Sequence, residues 1–192
     1  MNLVIFGPPG VGKGTQSKFI FKKFNLYPLS TGEILRKEII NKTQLGLTIS
    51  KKMNNGELVS DEIVSDLIEK FISNNNYKNR LIFDGYPRNL IQVKNLDNLL
   101  KKNDQKISIV LKLSVSLETI KKRISERKTL EQRVDDNEQI AIKRYEMYEK
   151  NIEPVIEFYK QSNLLTVVNG EKPIPEISDE ICGLIKSNKG WL

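Results

Sequence analysis

The sequence predicts an α/β fold, a parallel sheet covered by helices on both faces. Two observations carry that expectation. Short apolar runs recur along the chain, and stretches with helical spacing separate them. Strands that alternate with helices pair in parallel, and strands buried on both faces are apolar throughout. Residues 3–6 are the first run, closed by Gly-Pro-Pro-Gly. Residues 13–24 follow as a helix, with Phe19, Ile20 and Phe24 among polar neighbours. A brief extended piece at 28–29 is a second strand candidate. Residues 31–59 hold helical pieces and no strand candidate, so they are expected to form an insertion. A helix is expected over 61–73, with Ser60 as its cap. The polar cluster 73–76 is expected to be a turn. Strand candidates follow at 81–83, 107–113 and 164–168, with helices over 89–102, 116–125, 137–161 and 174–187. No internal repeat or low-complexity linker interrupts this order.

Composition narrows the class. The chain has 192 residues, 39% hydrophobic and 29% charged, an ordinary globular balance with room for a sizeable core. No apolar stretch approaches the roughly 18–20 residues of a membrane span, and MNLVIF has neither a basic leader nor a cleavage signal. One cysteine, Cys182, and no histidine exclude an internal disulfide and any Cys/His zinc cluster. A reduced, cytoplasmic setting is expected. Cys182 lies among Ile177, Ile181 and Ile185 at helical spacing and reads as core. The net charge of +7 comes from lysine in a chain also rich in Ile and Asn. It reads either as an anion-binding surface or as residue usage. Seven arginines stand against 24 lysines, at positions 36, 80, 88, 123, 127, 133 and 144. In a lysine-preferring chain, arginine marks places where a planar fork is useful.

GPPGVGKGT, residues 7–15, sits between the first strand and the first helix. Its spacing matches G-x-x-x-x-G-K, a loop whose backbone N–H groups converge on a phosphate. The helix N-terminus attracts the same anion, and Lys13 adds a full charge. The plainer reading is a Gly/Pro-rich turn. Gly14 stands where many such loops carry Ser or Thr for magnesium, and Thr15 follows one residue later.

The chain resembles the adenylate kinases, among the nucleoside monophosphate kinases, from Met1 to about Lys186. The phosphate loop is one shared motif. LSTGEILR (29–36) is similar to the start of the family's monophosphate-binding insertion, and GELVSD (56–61) to its end. DGYPR (84–88) is similar to the segment that holds the acceptor nucleotide. RVDD (133–136) is similar to the lid, and Arg144 completes the arginine set. The resemblance implies a P-loop NTPase-like five-stranded parallel sheet. Residues 1–29, 60–125 and 137–192 would form its core, 30–59 an AMP-binding insertion and 126–136 a short lid without zinc.

The implied activity is reversible transfer of the terminal phosphoryl group of MgATP to AMP, giving two ADP, in purine nucleotide homeostasis. The chemistry agrees. The acceptor oxygen is already anionic, so no general base is required; positioning and electrostatic stabilisation suffice. By resemblance, Gly10, Val11, Gly12, Lys13, Gly14 and Thr15 hold the ATP phosphates. Arg127 joins them from the lid, and Arg123, one helical turn earlier, stacks on the ATP base. The segment 170–173, with Lys172, meets the ATP adenine through its backbone. Arg36 and Arg88 hold the AMP phosphate, while Arg133 and Arg144 converge on the transferring group. Glu57, Leu58, Val59, Gly85, Tyr86 and Pro87 complete the AMP site, with Met53 against the adenine. Asp84 orients magnesium through water. Only Arg80 lies outside these motifs.

Competing readings stay open at this point. Asp84 reads also as a cap of the following turn, Asp135 and Asp136 as acids at a helix start, and Arg123 and Arg127 as a solvated basic face. Residues 60–62 read as a helix start alone.

Two positions bear on the base. Thr31 and Gln92 stand where the similar UMP/CMP kinases tend to show Ala and Asn, and a Gln amide offers both the donor and the acceptor that an adenine edge requires. AMP is therefore expected over UMP or CMP. Five residues separate Arg127 from Arg133, a short lid lacking the glycines common in similar lids. Residues 30–59 and 126–136 are expected to close over ATP, AMP or ADP. A basic nucleotide-switched RNA-binding module is the remaining alternative, but no basic tail or aromatic-rich RNA motif supports it. A monomer with no nucleic-acid or membrane partner is expected.

Overall fold

The computed structural model describes residues 1–131 and 138–188, the side chains of 128–131 and 138 excepted. Five strands form one parallel sheet: β1 (Asn2–Phe6), β2 (Tyr27–Ser30), β3 (Leu81–Asp84), β4 (Ile107–Ser114) and β5 (Leu165–Asn169), in the order β2-β3-β1-β4-β5. All five expected strands are present, each within one or two residues of its predicted bounds. β1 is central, and its residues are all buried. Alternation along it divides two cores. Leu3 and Ile5 face a layer made with α1 (Lys13–Phe24) and α8 (Ile174–Ser187), where Ile20, Ile181 and Cys182 pack. Val4 and Phe6 face the opposite layer of α4 (Asp61–Ile72), α5 (Leu90–Lys102) and α7 (Glu138–Gln161), with Ile68, Leu96 and Val155. Burying both faces of such strands at about 25 cal/mol per Å² of apolar area is the main stabilising term.

The expected insertion is α2 (Thr31–Ile40) and α3 (Gln44–Asn54), with no strand. Thr43 caps α3, its hydroxyl accepting from the Gly46 N–H at 3.0 Å. The cluster at 73–76 leads into a single 3₁₀ turn, Asn75–Tyr77, with Asn74 Oδ1 accepting from the Asn76 N–H. Two expectations need correction. Ser60 occupies the N-cap of α4, but its side chain makes no capping hydrogen bond; Asp61 and Glu62 supply the negative charge that suits a helix start. And α6 (Leu117–Glu131) continues past the expected end at 125 into the segment assigned to the lid. Residues 126–131 contain no Gly or Pro to end a helix. Ile120 and Ile124 of α6 pack against Ala141 of α7. Among the described residues, no helix is long and apolar enough to cross a membrane.

Parallel strands all leave the sheet at the same edge. Ser30, Asp84 and Ile5 lie side by side in register, so the turns after β1, β2 and β3 meet there. Ligands of open α/β sheets bind at this carboxyl edge.

Candidate active site

A cavity of about 570 Å³ opens at that edge. The phosphate loop forms its floor. Gly12, at φ 106°, is left-handed and serves as the N-cap of α1. A side chain there would be strained, and its absence lets α1 begin with Lys13. The first N–H groups of a helix have no intrahelical partner, and residues 12–15, which cap and begin α1, line the cavity.

Lys13 folds back over this loop. Its Nζ donates to Gly7 O at 2.8 Å and Pro8 O at 3.2 Å, and stands 4.0 Å from Asp84 Oδ1. Burial pushes its pKa from 10.5 down to about 8; Asp84 opposes this, and Arg88, Arg144 and Arg127 reinforce it. Burial likewise pushes the Asp84 carboxyl up, with Lys13 and Arg88 pulling it back. Arg88 is pushed down to about 10, first by burial and then by Arg144, with Asp84 opposing. Several cations thus crowd one buried volume against one principal carboxylate. An arrangement of that kind is costly unless anions enter it.

The turn after β3 forms the opposite wall. Gly85 has φ 81°, and a Cβ there would lie 2.9 Å from Thr31 Oγ1 and 3.2 Å from an Arg88 terminal nitrogen. Tyr86 and Pro87 are joined by a cis peptide bond. Arg88 Nε donates to Gly85 O at 2.8 Å, which leaves the outer edge of the guanidinium for a ligand. The Thr31 hydroxyl donates to Gly85 O at 3.2 Å. While its single proton is used there, the hydroxyl oxygen remains an acceptor toward a ligand. Gln92 is buried at the start of α5. Its Oε1 accepts from the Arg88 N–H at 2.7 Å, and its Nε2 donates to Asp61 Oδ1 at 2.6 Å.

α6 closes the third side. Arg123 donates to Val11 O at 2.9 Å and to Gly170 O at 2.8 Å, joining the phosphate loop to the turn after β5. Glu171 accepts from the Ser116 N–H and the Thr119 hydroxyl. The insertion touches α7 as well: Lys143 Nζ donates to Asn55 O at 3.0 Å and lies 3.8 Å from Glu57.

The structure thus brings together nearly all the residues singled out in the sequence. Within the described chain, every predicted site residue except Tyr86 and Lys172 lines the cavity, including Asp84 and five arginines. Tyr86 is fully buried in the core and does not line the cavity. The Lys172 ammonium pairs with Glu180 at 2.8 Å, outside the cavity. Arg133, Asp135 and Asp136 lie outside the described residues. Arg80 is elsewhere, its Nε donating to Asn25 O. Arg123 and Arg127 line the cavity, so they are not a solvated face, and Asp84 faces Lys13.

Three lining or supporting residues escaped the sequence reading. Glu33 pushes Asp84 up as a second carboxylate near Gly14. Gln16 donates from Nε2 to Ile174 O at 3.3 Å. Asp61 holds Gln92. For Glu33 and Asp61 there was a signal: each sits in one of the shared motifs, Glu33 in LSTGEILR and Asp61 in GELVSD, although Asp61 reads there as a helix start. Among the described residues, no three His, Cys, Asp or Glu side chains gather to hold a metal ion directly.

Comparison with known proteins points to one family. A family model described as adenylate kinase matches residues 5–164. Adenylate kinase of Pelagibacter ubique is 41% identical, covering 97% of this chain and all of the relative. That of Fusobacterium nucleatum is 39% identical over 94% of this chain and 96% of the relative. That of Azobacteroides pseudotrichonymphae is 41% identical over 94% and 95%.

Proposed function

This chain belongs to the adenylate kinase family, and from that premise we propose how its residues share the reversible transfer of a phosphoryl group from MgATP to AMP, giving two ADP. The observation that carries the assignment of roles is the cluster of Lys13, Arg88, Arg127 and Arg144, electrostatically coupled around one buried point.

ATP lies along the phosphate loop, its terminal phosphates against the N–H groups of residues 10–15 and Lys13. On this reading Lys13 leaves the Gly7 and Pro8 carbonyls when phosphate oxygens arrive, and its proton becomes firmly held. Arg127 supports the donor phosphates. Arg123 clamps the base-side turn to the loop, so its first role is to hold the adenine wall. AMP lies against Thr31, Met53, residues 57–59 and Gln92, its phosphate on Arg36 and Arg88. Arg144, with Arg133 by resemblance, neutralises the transferring group. The AMP phosphate oxygen attacks in line, already anionic. The protein therefore supplies position and charge instead of a base.

Magnesium bound with ATP draws negative charge off the phosphates. The residues present suit it as an indirect ligand: Asp84 is a largely buried carboxylate on the cavity wall with Glu33 nearby, and two carboxylates can orient a hydrated cation. The contacts between residues 55–57 and α7 support 30–59 closing against the core, and closure of the lid belongs to the same reading. A monomeric, cytoplasmic enzyme without zinc completes the reading.

The test is ADP formation from MgATP with AMP, UMP, CMP and GMP as separate acceptors. A strong preference for AMP is expected. Preference for UMP or CMP would overturn the account of the base pocket, and absence of transfer would overturn the enzyme.

A further inference from the structure

Asp61 does not line the cavity, yet it makes the shortest side-chain hydrogen bond to Gln92. Asp61 Oδ1 accepts from Gln92 Nε2 at 2.6 Å, and Asp61 Oδ2 accepts from Asn89 Nδ2 at 3.0 Å. Asn89 Oδ1 in turn accepts from the Gln92 N–H at 2.8 Å, capping α5. On the other side, Gln92 Oε1 accepts from the Arg88 N–H at 2.7 Å. A carboxylate can only accept, and a backbone N–H can only donate. The two therefore dictate which end of the Gln92 amide is oxygen and which is nitrogen. A flip would set oxygen against carboxylate and NH₂ against N–H, in a residue only 3% exposed. Unpaired or opposed polar groups at such a site cost the full desolvation penalty.

We propose that Asp61 is a specificity-determining positioning residue that locks the Gln92 amide in the orientation that reads adenine. This rests on the reading that Gln92 faces the acceptor base. After both protein bonds are made, the amide retains one N–H and one oxygen lone pair. Adenine presents N1 as an acceptor beside a 6-amino donor, the complement of that pair. Hypoxanthine and guanine present N1–H as a donor beside a 6-oxo acceptor, the complement of the flipped amide. A free Gln would read either by turning over. Held by Asp61, it reads one. The carboxylate thus acts through Gln92, from α4, without touching the nucleotide.

The experiment measures kcat and KM with MgATP for AMP and for inosine monophosphate, which has the 6-oxo edge without the guanine 2-amino group. The variants are Asp61→Asn, Asp61→Glu and Gln92→Ala, each with a thermal melt. Asp61→Asn is expected to lower the AMP-to-IMP ratio of kcat/KM about tenfold, the scale of losing one charge-assisted hydrogen bond. The change should lie in the acceptor KM, with kcat and the KM for ATP little altered. The Arg88 N–H still opposes the flip, so the preference falls and does not reverse. Asp61→Glu keeps the carboxylate and should restore part of the ratio. Loss of fold alone would lower activity with both acceptors in proportion; an unchanged ratio in Asp61→Asn therefore overturns the lock. Gln92→Ala separates the two ideas. If it collapses the ratio while Asp61→Asn does not, Gln92 reads the base and Asp61 has no part in it. If Gln92→Ala leaves the ratio unchanged, the assignment of Gln92 to the base is itself wrong.

Discussion

The two halves of the cavity are built by different means. The proposed donor half is backbone. Residues 7–15 run consecutively, glycine gives the turn its left-handed angles, and Lys13 and Arg123 bind main-chain carbonyls. The proposed acceptor half is side chain. Thr31, Arg88, Asn89, Gln92 and Asp61 come from three helices and a loop, and are linked to one another or to Gly85 by hydrogen bonds. A phosphate looks the same from many directions, so a ring of N–H groups serves it. A base has a donor and acceptor pattern that must be matched in order, and only oriented side chains supply that.

Substitutions can break or sharpen this contrast. The largest effect is expected for Lys13→Met. It should lower kcat by about 10²–10³-fold, the usual loss for one group aimed at transition-state charge. Both nucleotides should still bind in equilibrium titrations. A loss below tenfold would mean that the backbone alone carries the donor half.

Arg88→Lys comes next. Lysine cannot keep the bond from Nε to Gly85 O while presenting two more donors outward. The KM for AMP should rise about 10–100-fold, the scale of a lost charge-assisted hydrogen bond, with the KM for ATP unchanged in steady-state assays. A parallel rise for ATP would show that the halves are not separable.

Thr31→Val keeps the shape and removes the hydroxyl that donates to Gly85 O. The KM for AMP should rise by roughly three- to tenfold. No change would remove Thr31 from the list of polar positions that matter.

The last effect is in stability against pH, apart from the catalytic changes above. Burial pushes Lys13 from 10.5 down to about 8. Between those values the unfolded chain keeps a proton that the folded chain has lost. Stability from this group therefore rises with pH across the window. The melting temperature of wild type relative to Lys13→Met should climb by several degrees from about pH 7 to 10. Activity of free enzyme toward ATP, read as kcat/KM, should fall over the same range as the charge is lost. A flat difference in melting temperature would place Lys13 in a wetter site than the structure gives it.

How much was legible follows the same division. The three inner strands, β1, β3 and β4, were readable because burial on both faces leaves an apolar mark in consecutive positions; the edge strands β2 and β5 are partly exposed, and β2 showed only as a brief extended piece. The end of α6 was misplaced because a lid was expected from motif spacing, while residues 126–131 carry nothing that stops a helix. Tyr86 was assigned to the site for its place inside DGYPR, but position along a motif does not say where a ring points.

The sequence by itself determined the strands of the sheet and the phosphate loop, since local apolar period and glycine are properties of neighbouring residues; the grouping of the arginines was read from resemblance to the family's motifs. Only the tertiary structure decided that Asp61 meets Gln92, 31 residues away, that Arg123 ties the phosphate loop to Gly170, 47 residues away, and that buried Lys13 shares its surroundings with Asp84 and three arginines. Those are matters of distance and solvent exclusion between segments far apart in the chain. Electrostatic and hydrogen-bond strength depend on both, and neither is a property that adjacent letters can carry.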